Sequence, residues 1–322
     1  MSEKRLTLKN KPDISKLAKE FGLVAVVLVI ITFMSFASST FMTPTNITNI
    51  LRQISINGVL AVGMTFVILT GGIDLSVGSL VAVTSVICGS LLESGMDTIV
   101  VIIIGVVASM VLGLFNGYLV SYVGFQPFIA TLATMSICRG FAMVYSNGKP
   151  YIIKDKSFIF IGQGKIGQIP MLVIILVIVC ILALILLETT TFGRYVFAIG
   201  GNKNAAKLSG VKTQKIEMLV YLISGLCCGI VGLMLSARIS SGQPTAGEGY
   251  ELDAIASVAI GGTSMNGGMG SLRGTILGFF IIGLISNSMT LLGIDSFYQN
   301  IVKGFIIILA VFLDMKTKGN KN

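Results

Sequence analysis

Two ionisable side chains interrupt apolar stretches: Asp74, which follows Thr70-Gly71-Gly72-Ile73, and Arg139, deep within 126–146. An arginine at the centre of a membrane helix costs about 2.5–3.5 kcal/mol on insertion scales, so Arg139 either faces a partner or an aqueous cavity or snorkels to an interface. Asp74, Asp253 and helix-terminal carbonyls are its candidate partners. Asp74 opens an apolar run just after paired glycines. It reads as an N-cap for the following turn, as the border of a discontinuous helix beside a solute path, or as both. Ser76 belongs to the same break. Asn57, Asn116, Thr131, Thr134, Asn287 and Gln299 are neutral polar groups in apolar runs. Such donors and acceptors suit an uncharged, hydroxylated solute, or serve as interhelical hydrogen bonds. From these we take Asn57, Asp74, Ser76, Thr131, Thr134, Arg139, Asp253 and Asn287 as candidate path residues.

Catalysis finds no comparable support. The chain has no histidine, no CxxC pair and no GxxxxGK[ST] phosphate cradle. A zinc site, a Ser-His or Cys-His triad and a nucleotide site within this chain are therefore not expected. The glycine cluster Gly261-Gly262-Thr263-Ser264-Met265-Asn266-Gly267-Gly268-Met269-Gly270 lacks both the lysine and the preceding strand that such a cradle needs. We expect no catalytic residue, no metal and no cofactor bound by this chain. The five cysteines, Cys88, Cys138, Cys180, Cys227 and Cys228, lie in apolar runs and read as small apolar residues.

The elements that position these groups are membrane helices. Of 322 residues, 54% are hydrophobic and 11% charged, well below the charged quarter or so of soluble domains. Apolar runs long enough to span recur, without the period-2 alternation of a barrel. The sequence predicts an all-α polytopic membrane protein of about ten crossings, some discontinuous: near 21–38, 50–70, 75–93, 98–121, 126–146, 169–188, 215–237, 252–263, 272–292 and 298–314. Eight full spans plus re-entrant segments fit as well, because 50–70 carries polar residues and 252–263 is short. The first span is longer than a signal-peptide core and reads as a retained anchor.

The net charge of +9 is topology charge. It gathers in 1–20, in the loop 189–214 and in the tail 315–322, so these segments are expected in the cytoplasm and no nucleic-acid partner is expected. Loop 147–168 dissents, since it would lie outside with Lys149, Lys154, Lys156 and Lys165 against Asp155 alone. Residues 21–314 then form one transmembrane domain, embedded in lipid. Small residues recur every four positions at Gly105, Ser109, Gly113 and Gly117, at Gly225 and Gly229, and at Gly270, Gly274 and Gly278, a spacing that lets helix backbones approach closely. Gly71-Gly72 and Gly261-Gly262 form a weak internal echo, as do 124–128 and 293–297. The cytoplasmic stretch from Gly193 through Arg194 to Val211 mixes bases with Ala, Leu and Val, and reads as a docking knob or a solvated loop.

Four ordered motifs carry a resemblance along nearly the whole chain: Gly72-Ile73-Asp74-Leu75-Ser76-Val77-Gly78; Pro127-Phe128-Ile129-Ala130-Thr131-Leu132-Ala133-Thr134; Gln243-Pro244-Thr245-Ala246-Gly247; and Gly249-Tyr250-Glu251-Leu252-Asp253-Ala254-Ile255-Ala256, continued by Gly261-Gly262-Thr263-Ser264. The chain resembles the permease subunits of ribose-type monosaccharide ABC importers. That resemblance implies alternating access in a bacterial cytoplasmic membrane, with ribose the foremost substrate. It implies a second permease copy, a cytosolic ATPase with fused nucleotide domains that uses ATP and Mg, and an extracytoplasmic sugar-binding protein. Asn204-Ala205-Ala206 and Gly210 look like the Glu-Ala-Ala-x-x-x-Gly coupling loop of such importers, with Asn204 standing where the family has an acid. Arg194, Asn204, Ala205, Ala206 and Gly210 are thus the expected ATPase-coupling residues. The rival expectation is a self-sufficient secondary transporter or channel for a small polar solute.

Overall fold

The computed structural model describes residues 14–319, and among them the chain is helical almost throughout. Its helices are α1 (Ile14–Ala37), α2 (Pro44–Leu69), α3 (Val77–Glu93), α4 (Thr98–Tyr118, closed by a π turn at Leu119–Val123), α5 (Pro127–Ser146), α6 (Lys156–Gln163), α7 (Met171–Glu188), α8 (Thr191–Gly201), α9 (Lys203–Leu208), α10 (Thr213–Ile239), α11 (Tyr250–Ile260), α12 (Leu272–Leu291) and α13 (Ser296–Gly319). Two minimal antiparallel pairings accompany them, the long-range pair β1 (Tyr151–Ile152) with β4 (Ser241–Gly242) and the hairpin β2 (Lys165–Ile166) with β3 (Ile169–Pro170). Of the expected 1–20 segment, residues 1–13 lie outside the described residues, as do 320–322 of the tail.

Local chemistry sets many of the boundaries. Thr43 caps α2 with Pro44 in its first turn, Asp97 caps α4 by accepting from the N–H groups of Ile99 and Val100, and Ser271 caps α12 through Gly274. Asp155 caps α6 by accepting from Phe158 N–H at 2.7 Å, and it also takes the Thr98 hydroxyl at 2.9 Å. Those two donors hold its carboxyl below the usual carboxylate range. α4 and its π turn end on Gly124 at φ 89°, and α5 ends on Asn147 at φ 50°, the left-handed stop that few other residues adopt readily.

Among the described residues, six helices are long and apolar enough to cross a bilayer: Pro44–Leu69, Thr98–Val123, Pro127–Tyr145, Met171–Glu188, Thr213–Ile239 and Leu272–Leu291. Phe21–Ala37, Val77–Glu93 and Ser296–Leu309 are apolar but shorter. About ten full crossings are therefore not found by length. The clearest departure is 252–263, where α11 has 11 residues. At 1.5 Å per residue it covers about 16 Å of a hydrocarbon core of about 30 Å.

Contacts sort the helix ends into two groups. One end holds the Asn46–Asn287 pair, the β1–β4 pairing and the Asp155–Thr98 bond. The other holds the ion pairs Lys203–Glu217 at 2.8 Å and Arg273–Glu188 at 2.9 Å. The lysine-bearing loop 147–168 and the segment 191–210 thus lie at opposite ends. At the centre α10 packs against both α2 and α3. α2 is buried without interruption from Ile54 to Leu69, the pattern of a helix surrounded by protein. α4, α5, α7 and α13 turn bulky apolar side chains outward, among them Val111, Phe128, Val144, Leu182 and Phe305, as lipid-facing helices do.

The small-residue stripes close this bundle internally. A Cβ on Gly113 would sit 2.9 Å from the Gly225 Cα, and one on Gly229 would sit 2.9 Å from the Val106 Cα, so α4 and α10 touch backbone to backbone. Gly274 and Gly278 meet Gly261 and Ser257 in the same way, seating α12 on α11. The echo between the two glycine pairs is not a duplicated half. α3 and α4 lie between Gly71-Gly72 and Gly124, whereas α12 alone lies between Gly261-Gly262 and Gly293.

Candidate translocation and coupling site

The helix break at 70–76 is built from its residue types. Gly71 turns the chain at φ 82° after α2, and α3 restarts only at Val77. Asp74 between them is fully buried. Its carboxylate accepts from Ser76 N–H at 3.0 Å, the Ser76 hydroxyl at 2.6 Å and the Ser224 hydroxyl of α10 at 2.8 Å. The N-cap position of α3 is Ser76, which makes no side-chain cap bond, so Asp74 does not cap the helix itself but closes the turn before it through Ser76 N–H. Asn116 Nδ2 of α4 donates to Ser76 Oγ at 2.8 Å, and the Thr131 hydroxyl of α5 lies 3.2 Å from Ile73 O. Three helices are thereby fastened to one irregular segment. This is how non-helical backbone is tolerated at membrane depth: protein supplies the missing partners.

A second polar cluster lies on α11. Asp253 is buried, with Lys303 Nζ of α13 at 2.7 Å from Oδ1 and 3.0 Å from Oδ2, and Asn57 Nδ2 of α2 at 3.3 Å. A buried carboxylate held by an ammonium and an amide is a compensated charge. Lys303 escaped the sequence reading, although it sits in an apolar run just as Arg139 does and the same rule points to it.

Arg139 is half-buried on α5. It pairs with neither Asp74 nor Asp253, as two of its three candidate partners would have required. Its Nη1 donates to Pro244 O at 2.7 Å and Ala246 O at 3.0 Å. These carbonyls belong to the segment linking α10 to α11, so the guanidinium pins α5 to that turn. Asn287 forms a reciprocal amide pair with Asn46, at 3.2 and 3.0 Å, which locks α12 to the start of α2. Thr134 is buried against other helices, and Gln299 caps the turn before α13 through Ile294 O. In this conformation Asn57, Asp74, Ser76, Thr131, Thr134, Asp253 and Asn287 are all buried between helices. Asp74, Ser76 and Thr131 come together, Asn57 and Asp253 come together, and Arg139 and Asn287 stand apart. Buried Ser224 and Asn46 complete the contacts; as Ser and Asn in apolar helices they carried the same faint signal as dozens of satisfied polar groups.

The segment expected to couple to an ATPase is a short helix pair, α8 and α9, at the opposite end from the lysine-bearing loop. Asn202 caps α9 through Ala205 N–H, and Gly210 ends the segment at φ 86°. Ala206 is the one buried residue of α9 and faces its own bundle, while Asn204, Ala205, Lys207 and Leu208 point outward, Leu208 at 90% exposure. Arg194 on α8 is exposed as well.

A bundle of apolar outward faces, a broken helix fastened by polar ties and a projecting short-helix knob together mark a polytopic membrane protein. Residues 46–311 match the family described as branched-chain amino acid transport system / permease component, and the chain belongs to that family. Similar proteins include the ribose import permease protein RbsC of Bacillus subtilis (strain 168), 45% identical over 94% of this chain and 93% of that one. RbsC of Escherichia coli (strain K12) is 43% identical over 93% and 94%. The D-allose transport system permease protein AlsC of the same strain is 38% identical over 91% and 90%. Among solved structures, an inward-facing metal-chelate type ABC transporter aligns with a TM-score of 0.46 at 14% identity, over 94% of this chain and 98% of that one, too distant a likeness to carry an argument.

Proposed function

We propose that this chain is the membrane permease of an ATP-driven importer and translocates a monosaccharide, ribose foremost, across the bacterial cytoplasmic membrane by alternating access. The observation that carries this reading is the similarity to ribose import permeases over more than nine-tenths of both chains. The family description names amino acids, and the closer sequence likeness to sugar permeases decides between the two. The polar groups of the two clusters are hydroxyls, amides and compensated charges, which suit a neutral polyol better than an amino-acid zwitterion.

In this reading ten elements traverse the bilayer, with α11 crossing at half length and the 243–249 segment before it completing its path. Two copies of the chain flank the route. A cytosolic ATPase with fused nucleotide domains, using ATP and Mg, docks on α8 and α9 through Arg194, Asn204, Ala205 and Leu208, with Ala206 seating α9 and Gly210 releasing the chain from it. An extracytoplasmic protein delivers the sugar. Asp74, Ser76, Thr131, Asn57 and Asp253 move with the breaks and meet solute only when the bundle opens; Thr134, Arg139 and Asn287 hold the surrounding helices.

Reconstitution tests this directly. The chain, an ATPase and a binding protein encoded beside it are placed in proteoliposomes, and uptake of labelled ribose is followed. ATP-dependent uptake that needs all three components is expected. Uptake by the chain alone, collapsed by an ionophore and indifferent to ATP, would establish the secondary-transporter reading instead.

A further inference from the structure

Three glycine pairs far apart in sequence meet at one point. Gly268 N–H donates to Leu69 O at 2.9 Å, joining the end of α2 to the 261–271 segment. A Cβ on Gly267 would lie 2.7 Å from Gly71 N and 3.0 Å from Leu69 O. A Cβ on Gly268 would lie 2.6 Å from Gly201 N, and one on Gly200 would run into both Leu69 O and Gly268 N. The end of α8, the start of the 70–76 break and the loop below α11 therefore touch backbone to backbone, with no side chain between them. Side chains yield by changing rotamer, whereas directly opposed backbones transmit displacement.

We propose that this triple contact is a rigid joint that delivers movement of the α8–α9 segment to both helix breaks at once. Gly200, Gly267 and Gly268 are its positioning residues. Through Leu69–Gly72 the movement reaches Asp74, and from there α4, α5 and α10 by way of Asn116, Thr131 and Ser224. Through Gly268 it reaches the loop that follows α11, which carries Asp253. The two polar clusters are thereby driven in step. This inference rests on the reading that an ATPase docks on α8 and α9.

The test uses the complete importer in proteoliposomes. Gly200→Ala is compared with Gly201→Ala, whose new Cβ would meet nothing within 4 Å. Gly200→Ala should insert, retain the ATPase and hydrolyse ATP within about twofold of the wild type, yet lose at least about tenfold in sugar uptake; Gly201→Ala should transport normally. Hydrogen exchange at the Gly268 amide supplies a second readout, on the unmodified protein, and decides alone if Gly200→Ala fails to insert. Its protection should be the same within about twofold in the nucleotide-free state and in a state trapped with ATP and vanadate. Normal uptake by Gly200→Ala, or protection lost at least about tenfold in either state, would overturn the joint. A wild-type chain that retains no ATPase would overturn both this inference and the proposed function, whereas retained ATPase with unaffected Gly200→Ala uptake overturns the joint alone.

Discussion

At the scale of single residues, the ionisable groups inside the bundle are each matched by a different device. Asp74 is held by neutral donors, Arg139 by two backbone carbonyls and Asp253 by Lys303. Only the last is an ion pair. Removing one member of a buried pair leaves the other uncompensated, at a cost of about 3–5 kcal/mol. Lys303→Met should therefore lower the detergent-solubilised protein's thermal midpoint clearly, and Asp253→Asn in the same chain should restore most of it. Equal midpoints for Lys303→Met and wild type would mean that the pair does not form. The sequence made Asp74 and Arg139 legible because a charge in an apolar run is costly wherever it lies. It could not supply their partners, since Arg139 and Pro244 are 105 positions apart and only the folded bundle brings them together.

At the scale of elements, apolar runs marked most of the helices correctly, because lipid demands length and hydrophobicity of a span before anything else. The reading was weakest where protein replaces lipid as solvent. Segment 252–263, already the shortest expected crossing, is a half-length helix, stabilised by backbone contact with α12 that no periodicity announces. The segment that reads as a docking knob or a solvated loop holds a short helix followed by Gly210, and the sequence did not say which of its residues face outward. With Ala206 turned inward, the outward face belongs to Ala205 and Leu208. Leu208→Asp should reduce co-purification of the ATPase several-fold while leaving membrane insertion intact, because a bare leucine at 90% exposure has no folding contact to lose. Unchanged co-purification would move the docking surface away from α9.

For the whole molecule, the alternation of helix ends makes sidedness measurable. All five native cysteines are buried, so the wild-type chain should not react with a membrane-impermeant maleimide. Ile166→Cys should label in right-side-out vesicles and Leu208→Cys only in inverted ones. Labelling of both from one face would refute the single crossing by α7 that separates them, and the rest of the assignment with it. The four exposed lysines of 147–168 sit at the end opposite the coupling segment despite the rule that favours cations inside. A span as apolar as α7 on one side and a folded cap of α6, the β2–β3 hairpin and the β1–β4 pairing on the other explain why that loop is less bound by the rule than a short bare one.

The seam between α4 and α10 has an evolutionary corollary. Where two backbones touch at Gly113 and Gly225, no heavier residue fits on either side, whereas the outward face of the same α4 carries Ile103, Val107 and Val111 against nothing but solvent hydrocarbon. Tolerance to mutation should therefore change abruptly around a single helix. Aliphatic residues can drift freely on one side, and on the other even alanine is a structural event. Among descendants of this chain, the slow sites should trace the seams of the bundle before they trace its solute.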